Sequence, residues 1–298
     1  MFRPRGGLAK VLYEKIHTDA RLQAMDKDQW YCIDDAKMKN ISEENWRKFL
    51  PLELDDSTQA FIDTCHENSD NTLWQLWLTL TSSILSWFLA PTSINGLLGR
   101  GSMHVFSSAQ FQSLVAWDPE APKFQRLLDI GAGDGLTTQR METCFNEVFV
   151  TEMSSPMKWS LQKKGYTVLN ETSWSETEAR YDIVSCLNVL DRCDTPLELL
   201  DNISKVLQPQ EGLAVVSFVV PFNPYVEFES ATHIPSEILP IKGNSFEEEV
   251  NNFIEKVLKP KWEVIRWTRL PYLCEGDIKQ AFYWLNDAVF VIRPINQT

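Results

Sequence analysis

Short apolar runs recur through the C-terminal two thirds of the chain, and polar turns or stretches of helical period separate them. They predict strands over 126–130, 148–152, 166–169, 181–188, 213–220, 262–269 and 288–292. Helices are predicted over 136–144, 156–164, 196–207 and 246–258. The 196–207 segment places Leu197, Leu199, Leu200, Ile203, Val206 and Leu207 on one face, and Ser245 is a suitable N-cap for the last helix. Strands that are apolar throughout, alternating with helices, imply an α/β fold with a mostly parallel sheet covered on both faces.

The first 90 residues read differently. Helical patterns cover 8–24, 43–50, 57–67 and 72–90, with Pro51 and Pro91 as punctuation. This divides the chain into an N-terminal helical extension, 1–90, and a main domain, 91–298. From Thr72 to Ala90 there is no charged residue, and the length approaches that of a membrane span. Gln75 and several hydroxyl side chains interrupt it and basic flanks are missing, so the reading is a helix buried against the main domain, with no stable membrane span. Residues 92–103 are rich in glycine and lack periodicity, which suggests a linker or a lid over a ligand.

Composition narrows the function classes. A net charge of −13 argues against a nucleic-acid backbone as the main partner and suits a cationic cofactor or a neutral or basic peptide. The six cysteines show no metal-ligand spacing and read as reduced, buried thiols, and the four histidines are scattered, so no metal site is expected. The N-terminus carries arginines without an apolar stretch behind them and does not read as a secretory signal.

The most specific chemistry lies at the end of the first predicted strand. Asp129-Ile130-Gly131-Ala132-Gly133-Asp134-Gly135 is a D-x-G-x-G-x-G turn. The dinucleotide fingerprint needs a glycine at position 136, where this chain has Leu136. A carboxylate two residues before the first glycine suits a cationic amino-acid head better than a pyrophosphate. The loop therefore favours S-adenosyl-L-methionine, with S-adenosyl-L-homocysteine as product, over a nicotinamide dinucleotide. In open α/β sheets ligands bind at the carboxyl ends of strands. Two further strand ends carry polar groups: Glu152, which can accept both ribose hydroxyls, and Asn188, followed by Asp191. The segments 221–227 and 269–277, with Tyr272 and nearby Tyr283, are expected to be loops that rim the same end and form substrate walls.

The strings TSINGLLGRGSM, LLDIGAGDG, SCLNVLDRCD, PFNPYVE and TRLPYLCEGD, with the later NDAVFV, resemble the DREV family of methyltransferases from about residue 72 to 294. The resemblance implies a class I, Rossmann-like methyltransferase fold: a seven-stranded, mostly parallel sheet with an antiparallel last strand. It also implies methylation of the pros nitrogen of histidine in proteins bearing His-x-His motifs with a small middle residue. By resemblance, Asp129, Gly131 and Gly133 bind the methionine part of the cofactor, Glu152 the ribose, and Tyr272 and Asn188 border the cofactor. Asn188, Asp191 and Tyr283 surround the target imidazole. The family's tyrosine pair reads Phe282-Tyr283 here. Family members with a signal-like N-terminal segment are associated with the endoplasmic reticulum and mitochondria; for this chain a cytoplasmic or intracellular membrane-associated location is expected. A small-molecule methyltransferase and a non-catalytic cofactor-binding scaffold are the alternatives.

Overall fold

The computed structural model describes residues 6–87, 91–226 and 232–295. The N-terminal elements are α1 (Gly7–Ala24), α2 (Glu43–Trp46), α3 (Asp56–Asp70), α4 (Thr72–Leu85) and α5 (Pro91–Leu98). Then come β1 (Met103–His104), α6 (Ser108–Val115), β2 (Phe124–Ile130), α7 (Leu136–Met141), β3 (Phe145–Thr151), α8 (Ser155–Lys163), β4 (Thr167–Val168) and β5 (Ile183–Leu187). The chain closes with α9 (Pro196–Val206), β6 (Leu213–Val220), α10 (Phe246–Phe253), a π-helical turn over Ile254–Leu258, β7 (Trp262–Glu275) and β8 (Phe282–Pro294).

The strands form one eight-stranded sheet in the order β1-β7-β8-β6-β5-β2-β3-β4. The run β6-β5-β2-β3-β4 is parallel, and β8 lies antiparallel between β6 and β7. The strand order reverses between β2 and β5, and this opens a crevice at their carboxyl ends.

Alternation along each strand builds two cores. Leu128, Val184, Val216 and Phe290 point to one face and pack with α9 and α10. Leu127, Ile183, Val215 and Val289 point to the other and pack with Trp30, Tyr31, Ile62 and Phe111. The N-terminal segments thus contribute to both cores, Trp30, Tyr31 and Ile62 to the second and Ile41, Trp46 and Phe49 to the first.

The structure corrects five expectations. The sheet has eight strands, not seven, because Met103–His104 adds an edge strand to β7, too short to carry a periodic signal. The segment expected as a loop over 269–277 is strand as far as Glu275; β7 and β8 pair from Trp262↔Pro294 to Glu275↔Phe282, with one register shift between Val264 and Arg266. Pro271 is tolerated there because β7 pairs on its outer side with β1 only at Leu273 and Cys274. The glycine-rich segment begins as helix α5 and becomes irregular only at Gly99 and Gly101, where φ is +60° and +72°. Finally, α4 is not buried: Gln75 and Leu78 face inward, while Leu73, Leu80 and Trp87 are 82%, 68% and 81% exposed. Residues 88–90 of the expected 72–90 helix lie outside the described residues. No helix among the described residues is long and apolar enough to cross a membrane. No disulfide links the cysteines; Cys65, Cys144 and Cys186 are buried, but Cys32 is exposed.

Candidate active site

A cavity of about 520 Å³ lies at the carboxyl ends of β2, β3 and β5 and reaches the end of β7. That volume is within the range of small-molecule sites. Its floor is the glycine turn after β2. Gly131, Gly133 and Gly135 have φ of +72°, +57° and +78°, a left-handed conformation that favours glycine. A Cβ on Gly131 would stand 2.7 Å from Val189 Cγ2, and one on Gly135 would stand 2.7 Å from Leu161 Cδ2. At Gly133 the nearest atom would be Met103 Cε at 3.9 Å, so this glycine keeps the backbone open to the cavity.

Asp129 and Glu152 have different surroundings. Asp129 accepts from Thr138 Oγ1 at 2.5 Å and Ser185 Oγ at 2.6 Å, ties β2 to α7 and β5, and is not among the cavity's lining residues. Burial raises its carboxyl to about 6 against the lowering effect of the two hydroxyls. Glu152 lines the cavity just beyond β3. Its Oε2 accepts from Gly133 N at 2.9 Å and its Oε1 from Ser154 N at 2.8 Å. The same carboxylate therefore holds the glycine turn and faces the ligand space.

A second set of polar groups surrounds Asn188, which follows β5 with φ of +55°. Asn188 N donates to Ser217 O and Ser217 Oγ, both at 3.1 Å. Its Nδ2 donates to Asp287 Oδ2 at 3.0 Å, while Oδ1 is buried without a partner. Asp287 is fully buried, and burial pushes its carboxyl to about 8, with Asp191 adding to the rise. Asp191 is also buried and raised to about 6 by burial, offset in part by Arg192, whose Nε lies 3.4 Å from Asp191 Oδ2. One carboxylate oxygen of each aspartate is buried without a partner.

The tyrosines occupy one face of the β7–β8 ribbon. Tyr272 lines the cavity and its hydroxyl donates to Met103 Sδ; burial raises it well above the usual tyrosine range. Tyr283 is opposite Cys274, 41% exposed, and outside the lining residues; burial and Asp277 raise it to about 12. The wall opposite is built by Asn95, Gly101 and Met103. It is pinned by Glu275 Oε2, which accepts from Gly101 N and Ser102 N at 3.1 and 3.3 Å.

The sequence reading did not single out Asp287. Its signal was legible: an acidic residue heading the apolar run Ala288-Val289-Phe290-Val291-Ile292.

The family model of the DREV methyltransferases matches residues 30–294. The chain belongs to this family. Membership sets the reaction class as methyl transfer from S-adenosyl-L-methionine, leaving S-adenosyl-L-homocysteine. The match also takes in most of the N-terminal helices, beyond the stretch from residue 72 on which the resemblance rests. Among solved structures, the N-methyltransferase NodS from Bradyrhizobium japonicum, in complex with S-adenosyl-L-homocysteine, is similar at a TM-score of 0.40 and 14% identity, over 63% of this chain and 86% of that chain. Magnesium protoporphyrin IX methyltransferase from Synechocystis, also with S-adenosyl-L-homocysteine bound, is similar at a TM-score of 0.39 and 16% identity, over 62% and 83%.

The cavity fits the methyl donor of a DREV methyltransferase on two features. Gly133 leaves its floor open, and Glu152 stands where a carboxylate can accept from sugar hydroxyls while still bonded to the turn.

Proposed function

We propose that this DREV methyltransferase methylates the pros nitrogen of histidine in protein segments of the His-x-His type with a small middle residue. The observation that carries the reading is Asn188, which lines the cavity with its Nδ2 given to Asp287 and its Oδ1 left without a partner. A carbonyl oxygen is an acceptor only. It selects a group that offers an N–H on one side and a lone pair on the other, and neutral imidazole does this. Histidine titrates near ~6.5 and is largely neutral at physiological pH, so attack needs no strong base.

In this reading Asn188 Oδ1 accepts the N–H of the tele nitrogen, which leaves the pros lone pair directed at the methyl group. S-adenosyl-L-methionine, when bound, supplies a methyl carbon activated by its sulfonium. The new N–C bond converts the ring to an imidazolium. Asp191, buried near Asn188 and ionised at neutral pH, favours that positive charge and is suited to take up the tele proton afterwards. Water exclusion and orientation supply most of the remaining acceleration.

A protein segment needs an open approach. Tyr283 and Leu285, 41% and 44% exposed, continue the sheet face of Tyr272 and Cys274 away from the cavity and offer an apolar surface beside it.

The test is transfer of labelled methyl to a His-Ala-His peptide and to an Ala-Ala-Ala control, with the modified ring nitrogen assigned by mass spectrometry. The expected result is pros-methylhistidine on the first peptide alone. Cofactor binding without transfer to any histidine peptide would overturn the reading in favour of a small-molecule acceptor or a scaffold.

A further inference from the structure

We propose that helix α4 rests on the surface of a neutral, zwitterionic phospholipid bilayer, and that this docking brings the cavity beside the lipid interface. The inference concerns a surface outside the active site and does not depend on which acceptor is methylated.

Six of the eighteen large apolar side chains exposed among the described residues fall between Leu73 and Trp87. Leu73, Trp77, Leu80, Ile84 and Trp87 are spaced four, three, four and three residues apart. They form one stripe along α4 and the turn after it, on the side away from the buried Gln75 and Leu78. Trp74, at the edge of the stripe, stacks on Trp77 with ring centroids 4.8 Å apart and planes 15° from parallel. Single exposed apolar residues are ordinary, whereas a contiguous stripe marks an interaction surface.

Charge, hydrogen bonding and length favour lipid over protein as its cover. From Thr72 to Ala90 there is no charged residue, in a chain of net charge −13. A neutral bilayer matches the uncharged stripe, while an anionic one would repel the rest of the molecule. A protein interface carries a polar or charged rim that fixes register, and the stripe offers none. The hydroxyls of Thr79, Thr81, Ser83 and Ser86 donate to the carbonyl oxygens of Gln75, Trp77, Thr79 and Ser83 at 2.8 to 2.9 Å. A helix that satisfies its own polar groups suits a medium poor in hydrogen-bond partners. The fourteen residues of α4 extend about 21 Å, short of the ~30 Å hydrocarbon core, so the helix lies on the bilayer and does not cross it. Tryptophan prefers the headgroup level.

The stripe is joined to the active site. Arg100 donates from Nη2 to Ser82 Oγ of α4 at 2.8 Å and from Nε to Asn95 Oδ1 at 3.1 Å, and Asn95 lines the cavity. One side chain thus separates α4 from the cavity wall.

The experiment is flotation of the full chain with phosphatidylcholine vesicles, for the wild type and for Leu73→Glu combined with Leu80→Glu. Both positions are exposed, so melting temperature and affinity for S-adenosyl-L-homocysteine should stay at wild-type values. The wild type should float with the vesicles, and the double variant should lose about tenfold or more in partition. Raising salt from about 0.05 M to about 0.5 M should leave flotation unchanged, because apolar contact is not screened, and replacing about a third of the lipid by phosphatidylserine should weaken it. A wild type that stays lipid-free, a variant that floats as well as the wild type, or flotation that salt abolishes or phosphatidylserine strengthens would overturn the inference. A lipid-free wild type that light scattering shows as a dimer, dissolved by the variant, would assign the stripe to a second copy of the chain. If the variant does not fold, tryptophan emission of the wild type decides: a blue shift on adding vesicles supports the docking, and an unmoved spectrum overturns it.

Discussion

The two halves of the cavity handle their polar atoms in opposite ways. On the cofactor side both oxygens of Asp129 and of Glu152 have partners: Asp129 is bound by Thr138 and Ser185, and Glu152 by Gly133 N and Ser154 N. On the side of Asn188, three buried oxygens have none, one each on Asn188, Asp191 and Asp287. The first half is a finished cradle, whose polar groups hold its own turn in shape. The second leaves buried acceptors unpaired, which destabilises the free protein and is relieved when a donor arrives. A site that binds a common cofactor can be preformed, whereas the Asn188 side keeps its buried acceptors unpaired.

The sharpest way to break the cradle is Glu152→Ala. It removes the candidate sugar-hydroxyl acceptor and two internal bonds to the turn at once. Affinity for S-adenosyl-L-homocysteine is expected to fall by about 10²-fold or more, on ~1.5–3 kcal/mol per charged hydrogen bond, and titration calorimetry reads it directly. Asn188→Ala attacks the other half. Turnover on a histidine peptide should drop by about 10²-fold with a far smaller change in cofactor affinity, as single-turnover assays would show; equal losses in both would erase the distinction between the halves. Gly131→Ala strains the wall they share, since the new methyl meets Val189 and the backbone is left-handed. A loss of about 1–2 kcal/mol in urea unfolding is expected.

The smallest effect concerns pH and stability. Asp287 titrates near 8 in the folded protein against an ordinary 3.8, so the folded state holds the extra proton between those values. Its contribution to stability is therefore greatest at the acid end and is lost as pH rises through about 8. Asp287→Asn removes this titration, so its melting temperature should gain on the wild type by a few degrees between pH 6 and pH 8. A constant difference would place the proton elsewhere.

Much of this fold was legible because parallel strands covered on both faces leave long apolar runs. The order β2 to β6 with its intervening helices follows from Leu127-Leu128, Ile183-Val184 and Val215-Val216 alone. The glycine turn, Glu152 and Asn188 were legible because their chemistry is local. Long antiparallel pairing was not: β7 beyond Arg269 owes its strand character to β8, and Pro271 and Glu275 argue locally against it. Nor did local sequence reveal which side chains face the ligand space. Asp129, read as a cofactor ligand, lies behind the turn it supports, and Tyr283 lies beyond the lining. The local run showed Asp287 as a carboxyl group heading a strand, but not its pairing with Asn188, 99 positions away.

The packing of the N-terminal helices has a thermodynamic consequence. Asp19 Oδ1 accepts from Ala281 N at 2.8 Å, Asn68 donates to Glu275, and Trp267 donates its indole N–H to Asn45 O at 2.7 Å. The hairpin that carries Tyr272 and Tyr283 is therefore fastened by residues near the start of the chain. Heat should find no seam near residue 90: calorimetry would record one endotherm, with the enthalpy of helices and sheet released together.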